Sequence, residues 1–161
     1  MLSPRGTHRL QERPGLPLRL QTGNRVLLVE DEILVAMMMK DILTELGFSV
    51  IGPFSRLSEA MVAAVHEDID AGIIDVNLGG EFVYPVADVL AARNIPFVFI
   101  TGYGVESIDS RFDYVPIVKK PVQRQVLQKI FVPAESGEPA KFPQRRFGAG
   151  RLGRAASAGQ P

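Results

Sequence analysis

Between residues 24 and 132, short apolar runs alternate with stretches whose apolar residues recur every three or four positions. This is the pattern of repeated strand–helix–strand units around a parallel sheet. Arg25 to Glu30 reads as a strand. Glu32 to Leu46 reads as a helix, with Ile33, Met37, Leu43 and Leu46 near helical spacing, and it stops at Gly47, a residue suited to a helix carboxyl end. Met37, Met38 and Met39 are expected to pack this helix on the sheet, although a Met-rich face also adapts to partners. Phe48 to Gly52 is a second strand. Ser58 is placed to cap a helix over 59–65, with Glu59 suiting its amino end. Ala71 to Asp75 is the third strand, Tyr84 to Arg93 a helix with Val86, Val89 and Leu90 on one face, and Phe97 to Ile100 the fourth strand. From Glu106 to Phe112 the helical signal is short and poorly patterned. Val115 to Lys119 is the fifth strand, and Val122 to Phe131 closes the unit as a helix with Val126, Leu127 and Ile130 inward. Five strands and about five helices with right-handed crossovers make a flavodoxin-like, doubly wound α/β domain whose fourth helix is short or degenerate.

Composition sharpens the boundaries. The 161 residues, 46% of them hydrophobic, suffice for one ordinary core. The chain is neutral overall, but residues 1–23 and 132–161 each carry a net +3, leaving −6 between them. Both flanks are rich in Pro, Gly and Arg without sustained periodicity, so 1–23 and 133–161 are expected to be disordered basic segments around a domain at 24–132. They lack the aromatic interleaving of a nucleic-acid surface, and DNA binding is not expected. No run of 18 apolar residues and no secretory core are present, so the sequence predicts a cytoplasmic protein without a membrane span. The absence of cysteine excludes disulfides, thiol catalysis and Cys-ligated zinc.

The ends of the apolar runs carry the chemistry. Val26–Val29 ends on Glu30-Asp31, Ile73-Ile74 on Asp75, Phe97–Ile100 on Thr101-Gly102, and Ile117-Val118 on Lys119-Lys120-Pro121. In an open parallel sheet the strand carboxyl ends face one crevice, so these groups would meet there. Nucleotide binding fails locally. The turn after the first strand is Glu30-Asp31-Glu32, with no glycine-rich phosphate loop and three carboxylates that repel a diphosphate. A hard divalent cation fits instead: Glu30, Asp31, Asp75 and the backbone carbonyl of Asn77 can supply Mg²⁺ with oxygen ligands, and Asp75 can carry a phosphoryl group. Strand alternation lets only one of Lys119 and Lys120 point into the crevice.

With Val-Leu-Leu-Val-Glu-Asp-Glu (26–32), Ile-Ile-Asp-Val-Asn-Leu (73–78), Phe-Ile-Thr-Gly-Tyr (99–103) and Val-Lys-Lys-Pro (118–121) in this order, the sequence resembles the receiver domain of bacterial two-component response regulators over about residues 24–132. The Phe-x-Thr-Gly-Tyr stretch is similar to a subgroup of single-domain, CheY-like receivers called FAT GUY regulators, in which the fourth helix is degenerate. The resemblance implies transfer of a phosphoryl group from the histidine of a sensor kinase or phosphotransfer protein to Asp75 with Mg²⁺. Lys120, in the family's Lys-Pro position ahead of a usually cis bond, and Thr101 would contact that group. It further implies self-catalysed phosphotransfer and autodephosphorylation rather than turnover of a separate substrate, and phosphorylation-dependent binding of a downstream protein, or a role as phosphate sink or shuttle. The first helix is where receivers often meet phosphotransfer helices.

Two departures bear on output. The family's switch aromatic, three positions before the Lys, is Ile117 here, and Glu30 stands where Asp is common. Tyr103 is a candidate signalling aromatic or a gate over Asp75. An alternative class is a pseudo-receiver, an interaction module that takes no phosphate; retention of Asp75, Thr101 and Lys120 argues against it. A Mg²⁺-dependent hydrolase of the haloacid-dehalogenase type needs a second Asp two residues after the nucleophile, and that position is Asn77. His66, at the end of its helix beside Glu67-Asp68, is expected at the surface, and the thirty residues after 131 are not expected to build an output domain.

Overall fold

A computed structural model describes residues 18–20 and 23–133. In chain order they form β1 (Leu18–Leu20), β2 (Arg25–Val29), α1 (Ile33–Glu45), β3 (Ser49–Phe54), α2 (Leu57–His66), β4 (Ala71–Asp75), β5 (Asn77–Leu78), β6 (Glu81–Phe82), α3 (Tyr84–Ala92), β7 (Phe97–Thr101), β8 (Ile117–Lys119), α4 (Arg124–Ile130) and β9 (Phe131–Pro133). The main sheet has five parallel strands in the order β3-β2-β4-β7-β8. Consecutive strands flank a central β2–β4 pair, the doubly wound arrangement that the pattern predicts.

Alternation along the strands divides the core in two. Val26 and Leu28 of β2, with Ile73, Val98, Ile100 and Val118, pack on one face against Met39, Ile42 and Leu43 of α1 and Leu127 of α4. Leu27 and Val29, with Ile74, Phe97 and Phe99, pack on the other against Ala60, Ala63 and Ala64 of α2 and Val86, Ala87 and Leu90 of α3. Both faces of β4 and β7 are fully covered, which is why these strands read as unbroken apolar runs.

The structure corrects several expectations. On α1 the buried residues are Ala36, Met39, Ile42 and Leu43, while Ile33 and Met37, expected inward, are 72% and 55% exposed. This helix is apolar nearly all round, so its periodicity does not fix its phase, and packing on β2 and β3 decides it. Its carboxyl end follows expectation: Gly47 takes φ 89°, Gly47 N–H bonds the Thr44 carbonyl and Phe48 N–H the Leu43 carbonyl. Helix α2 begins at Leu57 after an extended Arg56 and has no side-chain cap, so Ser58 lies inside its first turn. In place of a fourth α-helix there are two single 3₁₀ turns, Val105–Ser107 and Ser110–Phe112, the second held by the Asp109 carboxylate accepting from Arg111 N–H. The described residues therefore hold four α-helices, and the degenerate fourth helix expected from the weak pattern over 106–112 is this pair of turns.

The domain limits also move. Residues 18–20, assigned by composition to the basic flank, form β1 and pair in parallel with β9, Leu18 beside Phe131 and Leu20 beside Pro133. Leu20 is buried in the cluster that contains Phe48 and Phe131, whose rings lie 6.3 Å apart. Three residues of alternation among Pro and Arg are too short to register as a strand in sequence. Residues 1–17, 21–22 and 134–161 of the expected flanks lie outside the described residues. Among the described residues two peptide bonds are cis, Gly52–Pro53 and Lys120–Pro121. Among the described residues no helix is long and apolar enough to cross a membrane.

Docking of β1 makes a measurable contribution. Leu20→Ala is expected to lower stability in urea titrations by about 2 kcal/mol through lost burial and the cavity left beside Phe48 and Phe131. An unchanged midpoint would show that β1 does not hold to the domain in solution.

Candidate functional site

The parallel sheet brings the carboxyl ends of β2, β4, β7 and β8 to one edge, and the residues that follow each apolar run meet there. They surround an open cavity of about 510 Å³ lined by Asp31, Glu32, Asp75, Asn77, Gly79, Gly80, Gly102, Tyr103 and Lys120. Strand register sets the depth of each group: Asp75 lies opposite Ile100 of β7, and Thr101 opposite Lys119 of β8. Lys120 is the residue just past β8, tied to β7 by its N–H donating to the Thr101 carbonyl at 2.8 Å. Lys119 is exposed, as alternation requires when its neighbour turns inward.

The Lys120 ammonium is shared among three carboxylates. Its Nζ donates to Asp75 Oδ2 at 2.7 Å, to Glu32 Oε1 at 2.7 Å and to Glu30 Oε1 at 3.0 Å. Glu30 and Asp75 are almost wholly buried, whereas Glu32 is exposed at the rim. Glu30 also accepts from Glu32 N–H at 2.9 Å, and Asp75 Oδ1 accepts from Asn77 N–H at 3.1 Å. One oxygen of Glu30, Oε2, is buried without a hydrogen bond, though it lies 3.0 Å from Nζ.

One cation does not balance this many acids. Burial pushes the Glu30 carboxyl up to about 7, with the nearby Asp75 charge adding to it, although the Glu32 N–H and Lys120 oppose the rise. Burial works to lower the Lys120 ammonium, but its hydrogen bonds to Asp75, Glu32 and Glu30 outweigh that and hold it above the ordinary lysine value. Carboxylate oxygens of Glu30, Glu32 and Asp75 lie within 4.8 Å of one another, close enough to share a metal ion. An orphaned buried carboxylate oxygen and an excess of hard oxygen donors fit a small divalent cation.

The remaining groups flank the cavity. Thr101, buried at the end of β7, accepts from Tyr103 N–H at 3.0 Å through Oγ1, which leaves its hydroxyl hydrogen to donate elsewhere. Tyr103 is 63% exposed on the rim. The Asn77 side chain is held in the hairpin, its Oδ1 accepting from Gly80 N–H at 2.7 Å across the β5–β6 turn. Gly79 and Gly80 take φ of 63° and 102° in that turn, so this wall is bare backbone.

The sequence-derived residues Asp75, Thr101, Lys120, Glu30, Asp31 and Asn77 all come to this edge, but their depths differ. Asp31 is an exposed wall residue and Glu30 lies beneath the floor. Glu32 joins the lysine cluster, a contact sequence reasoning missed; the acidic run 30–32 was the available signal. His66 is exposed at the end of α2.

No family model matches the chain. It is 33% identical over 98 residues to the phyllosphere-induced regulator PhyR of Methylorubrum extorquens, spanning 58% of this chain and only 36% of that relative. The structure is similar to that of SdrG from Sphingomonas melonis Fr1, with a TM-score of 0.62 and 43% identity over 69% of this chain and 95% of that one. The BeF₃-activated conformation of SdrG matches at TM-score 0.53 and 45% identity over 62% of this chain and 85% of that one. A signal receiver domain of a modulated diguanylate cyclase from Desulfovibrio desulfuricans G20 matches at TM-score 0.57 and 33% identity, over 66% of this chain and 88% of that one. Because identity of this order runs through nearly the full length of solved relatives whose five-stranded fold this chain shares, the chain belongs to the receiver domains of two-component response regulators.

Proposed function

We propose that the protein is a phosphoacceptor receiver that takes a phosphoryl group on Asp75 from a phosphohistidine donor and changes its binding to a downstream protein, or passes the group on as a sink or shuttle. The observation that carries this reading is the buried Asp75 carboxylate paired at 2.7 Å with the Lys120 ammonium at the floor of an open cavity. A carboxylate held by an adjacent cation is a competent nucleophile. One of its oxygens forms a bond to phosphorus as the bond from phosphorus to the donor imidazole nitrogen breaks, and the imidazole leaves with the bonding pair. Lys120 neutralises charge on the transferred oxygens, and the Thr101 hydroxyl donates to one of them. Asn77 N–H holds Asp75 Oδ1 and so orients the carboxylate before the donor arrives.

Mg²⁺ would be held by Glu30, Asp31, Asp75 and the Asn77 carbonyl, with Glu30 acting directly or through water. When bound it supplies positive charge to the transferring phosphoryl oxygens. The orphaned Glu30 Oε2 and the raised Glu30 carboxyl support this, since both mark a cluster short of cationic charge. Glu32 then has a separate task, holding Lys120 at the rim.

The donor would be a sensor histidine kinase or a histidine phosphotransfer protein. Ile33, Leu34, Met37 and Met38, exposed on α1 beside the acidic run, form an apolar surface suited to a partner helix. Incubation with Mg²⁺ and acetyl phosphate is expected to give one acid-stable, base-labile phosphoryl adduct by intact mass, absent in Asp75→Asn and without Mg²⁺. If neither acetyl phosphate nor a phosphorylated histidine-protein donor yields an adduct, the chain is the alternative interaction module. Mg²⁺ titration separates the two exposed acids: Asp31→Asn should weaken binding about tenfold or more, and Glu32→Gln much less. The opposite order would make Glu32 the ligand.

A further inference from the structure

The position of the family's switch aromatic is Ile117, half-buried against the α2–α3 core. An aromatic contact between the Asp75 side of the cavity and the 3₁₀ segment exists elsewhere. The Tyr84 ring, at the start of α3, lies between Phe82 at 5.4 Å and 9° and Phe112 at 5.6 Å and 16°, stacked on both. Its edge meets Phe99 at 6.3 Å and 84°, and its hydroxyl accepts from Asp109 N–H at 3.0 Å.

Each end of this stack is fixed to one loop of the cavity. Phe82 pairs with Asn77 across the β5–β6 hairpin, and Asn77 N–H binds the Asp75 carboxylate. Val83 N–H returns to the Val76 carbonyl at 2.9 Å, so the hairpin is closed at its base beside Asp75. Phe112, nearly fully buried, and Asp109 belong to the second 3₁₀ turn, downstream of Thr101. Packed aromatic plates transmit displacement because close-packed neighbours cannot move independently. A segment of two single 3₁₀ turns, with no continuous helical ladder, is the element such a push can rearrange.

We infer that Tyr84 is the positioning residue that couples the Asp75 hairpin to residues 105–112, through its ring stack and its hydroxyl, in the role that Ile117 cannot fill. The inference deepens the phosphoacceptor reading, which supplies the event that moves the hairpin. Charge arriving on Asp75 loads its bond with Asn77 N–H, Phe82 shifts with its strand partner, and Tyr84 carries the shift to Phe112 and the Asp109 amide.

The test is amide hydrogen exchange by NMR on the full chain, without phosphodonor, in a cycle of Phe82→Ala and Tyr84→Leu. Phe82→Ala should accelerate exchange of the Asp109 and Phe112 amides roughly two- to tenfold, the scale of one lost aromatic pair, and this increment should vanish in the Tyr84→Leu background. Tyr84→Phe keeps the ring and serves if Tyr84→Leu does not fold: the Asp109 amide should lose protection while Phe112 still responds to Phe82→Ala. An effect of Phe82→Ala confined to residues 76–83, or an undiminished increment with Tyr84→Leu, overturns the inference. In a second arm with Mg²⁺ and acetyl phosphate, Tyr84→Phe should form the Asp75 adduct to the wild-type extent but show a reduced shift of the 105–112 amides; a wild-type shift pattern overturns the hydroxyl's part. Absence of an adduct in the wild type with both acetyl phosphate and a phosphorylated histidine-protein donor sinks the phosphoacceptor reading, while the exchange cycle still decides whether Tyr84 couples the two loops.

Discussion

Everything at the functional edge depends on one ammonium group. Lys120 Nζ holds three carboxylates at 2.7 to 3.0 Å, two of them removed from water. Without that charge, Glu30 and Asp75 would be close like charges in a low-dielectric setting, an arrangement that forces protonation or local opening. With it, Asp75 is held in place by a 2.7 Å hydrogen bond, while Glu30 is still driven toward the neutral form by burial. The site is thus assembled short of positive charge. That shortage suits a hard cation, which would supply the positive charge that the lysine alone does not.

Sheet geometry makes this concentration of charge tolerable. Parallel strands buried on both faces place their apolar residues in two tightly packed layers and leave polar residues to the strand ends, the carboxyl edge carrying the acids, the threonine and the lysine. The rigid floor contrasts with the walls. One wall is a two-residue glycine turn and another is Gly102-Tyr103, after which the chain runs through two isolated 3₁₀ turns. Strand ends hold Glu30, Asp75 and Lys120, and turns form the walls around them, a division suited to a switch.

The order of elements was legible because buried parallel strands leave long apolar runs whose ends carry distinctive polar residues. Val26–Val29, Ile73-Ile74 and Phe97–Ile100 could be placed, and with them Asp75 and Thr101. The phase of α1 could not be read: a helix with apolar residues on every side offers no unique stripe, and Ile33 and Met37 went to solvent while Ala36 and Met39 went to the core. Strand β1 was hidden for a different reason. Its pairing with Phe131–Pro133 is a contact between distant parts of the chain, for which Leu18–Leu20 carries almost no local signal.

By itself the sequence determined which chemical groups stand at the ends of which strands, and therefore that acids, a threonine and a lysine converge on one edge. Periodicity and strand order are local properties, written in neighbouring residues. Only the tertiary structure decided how those groups share their charges: that Glu32 joins Glu30 and Asp75 on one lysine, that Asn77 turns its side chain into the hairpin, and that Tyr84 bridges two loops. These are distances between residues far apart in the chain, and they follow from the packing of helices on the sheet and the register of its strands, which no local pattern encodes.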